Sequence, residues 1–182
     1  RSAAVPDLAD WPQLAEYRRQ FLVRLEHQPR AFAALVASLA EPEWHIRRMP
    51  DGLTLHQLLV HVRDAEALAY WPRIRRILAE DAPHLDPFPK HRWSLEEHYL
   101  ESEPLAEVLG TLTRTRAEVV AQLNPLTPAA WGRLGFHPPS GPRTVQWWAE
   151  RLYTHAHNHL LELQAALERP AARPDPYAGE PV

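Results

Sequence analysis

Cysteine is absent from this chain. Disulfides and thiolate ligands are therefore excluded, and any metal must be held by His, Asp, Glu or water. The absence suits a reducing compartment, and a cytoplasmic setting is expected. No stretch approaches the roughly 18 consecutive apolar residues of a membrane span, so no membrane partner is expected. Arg1-Ser2-Ala3-Ala4 carries no apolar core of the kind a secretory signal needs, so none is expected there. Massed positive charge is lacking too. The formal net charge is −3, and basic residues are scattered apart from Arg73, Arg75 and Arg76. A phosphate-binding surface needs a clustered basic face, so nucleic acid is not an expected partner. There is no Gly-rich phosphate loop and no Gly-x-Ser-x-Gly elbow.

What the chain does have is histidine and tryptophan, 11 and 7 among 182 residues, enough histidine for His-x-x-x-His pairs to arise by accident. The length suits one domain with a substantial core. Hydrophobic residues at 45% and charged residues at 24% are ordinary for a globular protein.

The organisation reads as an N-terminal extension over 1–10, expected to be flexible, a single helical domain over 11–168, and a Pro-rich tail over 169–182, expected to be disordered. Asp10-Trp11-Pro12 is a helix start. Leu14, Tyr17, Phe21 and Leu25 then recur at helical spacing, and the pattern resumes after Gln28-Pro29 through Phe32, Leu35, Val36 and Leu39. This is one kinked helix or two consecutive ones. Thr54 with Gln57 forms a capping box opening a long helix to Leu78, with Pro72 expected to kink it unless neighbours absorb the lost hydrogen bond. Ser94 with Glu97 opens a short helix, and Glu103-Pro104 a longer one through Leu123. Thr127-Pro128 begins a turn of helix ending near Trp131. Segments 82–93 and 135–143 read as long loops, and Thr144 caps a last helix to about Glu168. No convincing strand appears. The fold class expected is all-α, a bundle of four main helices with long connections.

The segment His155-Ala156-His157-Asn158-His159 lies inside that last helix. Residues four apart share a helix face, so His155 and His159 can grip one metal ion, while His157 points away from them. His61, in the stripe Leu58, His61, Ala65 and Leu68, also faces inward. Two readings stand. Each imidazole hydrogen-bonds a core neighbour, or the three converge on a metal that satisfies them jointly. Three neutral nitrogens plus water make an open site of the catalytic type. Zinc is the default ion, and nickel or iron also suits such ligands. A coordinated water, or a low-molecular-weight thiol co-substrate, would be activated there. Asp64 is a candidate second-sphere acceptor for His61, against the plainer reading of a carboxylate paired with Arg63 or Arg73. His137, in the loop before the last helix, is either a loop residue or part of a lid over the site. His56, His84, His91 and His98 have no ligand spacing, and Trp147-Trp148 reads as packing. Position 156 is Ala, where helical zinc proteases carry their Glu base directly after the first histidine, so that activity is disfavoured.

Several segments carry a resemblance. They are Thr54 through Glu66, Arg75 through Pro83, Trp131 through Pro138 with Gly141, and His155 through Leu163. In order and spacing they resemble the DinB-like (YfiT-like) four-helix-bundle family, over residues from about 30 to 168. The resemblance implies a four-helix bundle with a long crossover, frequently a homodimer. It implies a divalent metal, often nickel or zinc, held by three histidines that correspond to His61, His155 and His159. It also implies one of several activities on a small molecule: thiol S-transfer, thiol-dependent isomerisation or metal-dependent hydrolysis. Ala156 and Glu162 depart from the Asp and Gln that the family often has at those places. The expected function is a divalent-metal-dependent enzyme that activates a thiol (S-transferase) or water (hydrolase) against a small electrophile. The alternative is a non-enzymatic dimeric bundle or stress-related binding protein whose histidines are core residues or hold a structural metal.

Overall fold

The computed structural model describes residues 11–87 and 103–168. The expected extension over 1–10, the Ser94 helix, His91, His98 and the tail over 169–182 lie outside the described residues. The elements are α1 (Pro12–Ala37), α2 (Glu41–Ile46), α3 (Leu55–Asp64), a π-helical turn (Ala65–Tyr70), α4 (Trp71–Ala79), α5 (Leu105–Leu123), α6 (Pro128–Trp131), β1 (Leu134–His137), β2 (Gly141–Thr144) and α7 (Val145–Glu168). Among the described residues no helix is long and apolar enough to cross a membrane.

Helix α1 is one continuous helix, although Pro29 lies within it. Proline has no N–H to donate, so the carbonyl four residues earlier, Leu25 O, loses its helical partner. The guanidinium of Arg116 takes that place, with Nη1 donating to Leu25 O at 2.9 Å. The short α2 was not legible in the sequence, and Trp44 anchors it in the core. At α3 the Thr54–Gln57 capping box forms as expected, with both reciprocal bonds present. Ahead of Pro72, where a kink is expected, the helix adopts a π turn. The ladder widens there, so that Trp71 N–H reaches Glu66 O five residues back, and α4 runs on past the proline.

The long helices are α1, the α3–α4 unit, α5 and α7. Both α1 and α3–α4 pack on α5 and α7, which places them at opposite corners of the four-helix bundle. The core divides in two. One apolar cluster includes Phe32, Leu58, Val62, Leu112 and Leu160, and the other includes Leu25, Ile74, Val119, Trp148 and Leu152. Between them along the helices lies a polar layer. Arg116 Nε donates to Glu66 Oε1 at 2.7 Å, and Arg116 Nη1 donates to Gln28 Oε1 at 2.8 Å. Gln28 Nε2 donates to Tyr153 O at 3.2 Å. One chain of hydrogen bonds therefore ties the π turn, α5, α1 and α7 together.

Segment 135–143, expected as a loop, is mostly an antiparallel hairpin with Leu134 paired to Thr144 and His137 to Gly141. Each strand has four residues, too few for alternation to show, and Pro142 stands in an edge strand where no ladder N–H is needed. Two residues permit the shape. Gly141 has φ +73°, and a Cβ at Gly135 would lie 2.7 Å from Ile77 Cγ1. The other edge of β1 is joined by the chain after α4, with Leu85 N donating to Phe136 O and Phe136 N to Pro83 O. The hairpin is thereby held against α4 and leads directly into α7, whose first turn is capped by Thr144 Oγ1 accepting from Trp147 N at 3.1 Å.

Candidate metal centre

Three half-buried imidazoles meet where the end of α3 faces the middle of α7. One ring nitrogen from each of His61, His155 and His159 lies within 4.8 Å of the others. His61 Nε2 and His155 Nε2 are 3.1 Å apart. Two nitrogens on one tetrahedral zinc, each about 2.05 Å from it, would be roughly 3.3 Å apart. The spacing and the donor chemistry therefore fit a single ion.

The helices set this geometry. His155 and His159 are one turn apart on α7, with ring centroids 4.6 Å apart, and the His61 ring lies 5.0 and 5.1 Å from them. His159 Nδ1 is 2.7 Å from Glu162 Oε2. An ionised carboxylate only accepts, so Nδ1 carries the hydrogen and Nε2 is the nitrogen left to ligate. Burial, reinforced by the His159 ring, lowers the pKa of His61 to about 4. Burial, then His159, then His61, lowers that of His155 to about 3. Both rings are thus neutral near pH 7, the state a metal requires.

A family model described as the DinB superfamily matches residues 24–163. The chain belongs to the DinB superfamily. Among solved structures it is similar to YfiT from Bacillus subtilis, at 18% identity and a TM-score of 0.75. The match covers 91% of this chain and 90% of that one. YfiT is described as a probable metal-dependent hydrolase with an unusual four-helix bundle topology. At that identity the likeness establishes the fold. No curated protein matches the chain.

Of the residues singled out for chemistry in this DinB superfamily member, His61, His155 and His159 come together. Asp64 accepts from Arg63 Nε, and Arg63 also pairs with Glu103 at 2.7 and 2.8 Å. His137 is a buried strand residue rather than a loop residue, bonded through Nδ1 to Ser140 Oγ at 3.1 Å and set edge-on to Trp148. His157 points away from the cluster, half-buried and stacked on Tyr153 with 5.7 Å between centroids. His56 is a core residue bonded through Nε2 to Glu103 O at 2.7 Å. Ala156, where the family often has Asp, is 1% exposed and points into the core. Glu162 occupies the other departing position and orients a candidate ligand.

Tyr70 was not anticipated. Its ring centroid lies 5.4 Å from His155 and 6.3 Å from Trp148, so it walls the site. Burial raises the pKa of its hydroxyl, opposed by the Arg151 and Arg73 guanidiniums. The available signal was Pro72, because a proline in a continuing helix implies a shift of register around it.

Proposed function

We propose that this chain is a divalent-metal-dependent enzyme acting on a small electrophilic molecule. His61, His155 and His159 hold the ion, and the nucleophile is a low-molecular-weight thiol or water. The observation that carries this reading is the convergence of three imidazole nitrogens from two helices within 4.8 Å. His61 Nε2 and His155 Nε2 can share a hydrogen at 3.1 Å, and a single ion would satisfy all three nitrogens jointly.

When bound, the ion supplies a nucleophile near neutral pH by lowering the pKa of a coordinated water or thiol. The chain's own residues do the rest. The three histidines offer three nitrogen donors and would leave at least one position of a four-coordinate ion open to a reactant. Glu162 fixes the His159 tautomer and ring orientation. Tyr70 closes one side beside His155 and limits the approach of bulk water. The description of YfiT as a probable metal-dependent hydrolase supports the water route by analogy.

The test is a conjugation and hydrolysis screen on protein purified without nickel resin, with defined metals added back. Thiol conjugation or ester hydrolysis should appear with metal, vanish with chelator and be absent from His159→Ala. A chelator-insensitive rate, or a stable protein that takes up no metal, would instead favour the non-enzymatic bundle.

A further inference from the structure

Beside the three histidines lies a second group of side chains with no part in holding a metal. The Arg73 guanidinium lies over the Trp148 ring, with Cζ 4.9 Å from the centroid. The His137 ring stands edge-on to the same indole, 5.3 Å between centroids. Trp148 is 2% exposed and His137 is 8% exposed, yet Trp148 Nε1 and His137 Nε2 have no hydrogen-bond partner. Buried polar atoms are seldom left so. Among the described residues no carboxylate forms an ion pair with Arg73. Its Nη2 donates to the Asp86 carbonyl at 3.0 Å, while the exposed Asp86 carboxylate lies 3.8 Å from Arg76. Arg73 also lines a cleft of about 140 Å³ with Leu68, Pro72 and Leu85, so it can be reached from solvent.

The π turn puts this group in line with the histidines. In an unbroken α-helix Arg73 would stand roughly 120° round the axis from His61. Widening one turn takes up an extra residue, which returns Arg73 to a position roughly 20° from His61. On α7, Trp148 precedes His155 by two turns and shares its face. One seam between the two helices thus carries the three histidines, then Tyr70, then Arg73 with Trp148, and His137 of β1 abuts that indole.

We propose that Arg73, Trp148 Nε1–H and His137 Nε2 form a subsite for a carboxylate, which anchors a small anionic molecule whose reactive centre lies at the histidine cluster. The inference rests on the metal-site reading for the second half of that statement only. A guanidinium on an apolar floor pairs with a planar carboxylate through two parallel N–H bonds. The indole N–H adds a third donor. His137 adds a fourth when its Nδ1 accepts from the Ser140 hydroxyl and Nε2 carries the hydrogen.

The probe is propionate, compared with the neutral propionamide of nearly the same shape. Each is titrated into ¹⁵N-labelled protein while the Trp148 indole N–H resonance is followed, with metal bound and after chelation. Propionate should shift that resonance saturably in both forms, and propionamide should not. Arg73→Gln should weaken propionate at least tenfold, with Arg73→Lys and His137→Gln intermediate. Arg75→Gln, an exposed neighbour on the same helix, should bind as wild type does. Metal stoichiometry measured on every variant keeps failure of the subsite apart from failure of the metal site. The proposal is overturned if Arg73→Gln and Arg73→Lys leave propionate binding unchanged. It is equally overturned if binding disappears on chelation, which would mean ligation to the metal, if propionamide competes equally, or if no saturable shift occurs.

Discussion

An imidazole ligates a metal only through an unprotonated nitrogen, so the resting protonation of each histidine governs the site. His61 and His155 stay neutral because burial penalises their charged forms, which lowers them from an ordinary 6.5 to about 4 and about 3. The unfolded chain takes up these protons near pH 6.5 and the folded chain does not. Between about pH 6.5 and pH 4 the unfolded state therefore binds more protons, and stability falls as pH falls. Denaturant melts of the metal-free protein from pH 7 to pH 4 should lose up to about 1.4 kcal/mol per pH unit for each proton taken up. His155→Asn should show a shallower slope, and equal slopes would contradict the assignment. Glu162 offers a second check at this scale. Glu162→Ala leaves all three imidazoles in place but frees the His159 ring to rotate. Competition titrations should show metal affinity reduced by about 10–100-fold with stoichiometry unchanged.

Between elements, the decisive feature is the polar layer. Arg116 is buried, paired with Glu66 and bonded to Gln28 and to the carbonyl that Pro29 leaves free. Breaking one side leaves an uncompensated buried charge, so Arg116→Ala should cost about 3–5 kcal/mol in equilibrium unfolding. Replacing Arg116 and Glu66 together by apolar residues of similar size should cost far less, and equal losses would argue against the pairing. Little of this layer was visible beforehand. Arg116 and Glu66 lie at ordinary helical positions, and only the packing of four helices reveals them as partners. By contrast, Thr54 with Gln57 and Thr127 with Pro128 were legible because caps are local chemistry. Pro29 and Pro72 were visible as interruptions, but their outcomes were not. One is absorbed by a side chain from α5, the other by a change of ladder. The hairpin is not legible in the sequence because four-residue strands carry no period, and what holds them is contact with Pro83, Leu85 and Ile77 on distant segments.

Across the whole molecule, two apolar cores fix four helices, and a polar seam runs between α3–α4 and α7. The histidine pair on α7 was legible because i, i+4 spacing is a property of one helix. Its third member was legible because His61 interrupts an apolar stripe. The seam's other residues depend on a register that the π turn alters, so Arg73 read as one arginine in a basic run. If the three histidines hold one divalent ion as a unit, removing any one of them should abolish stoichiometric binding. Calorimetric titration of zinc and of nickel into chelated protein tests it most directly, on wild type and on His61→Ala, His155→Ala and His159→Ala. Wild type should bind one ion per chain, and every single variant should lose stoichiometric binding while remaining helical. Wild-type stoichiometry retained in any one of them, or no binding in the wild type, would contradict it.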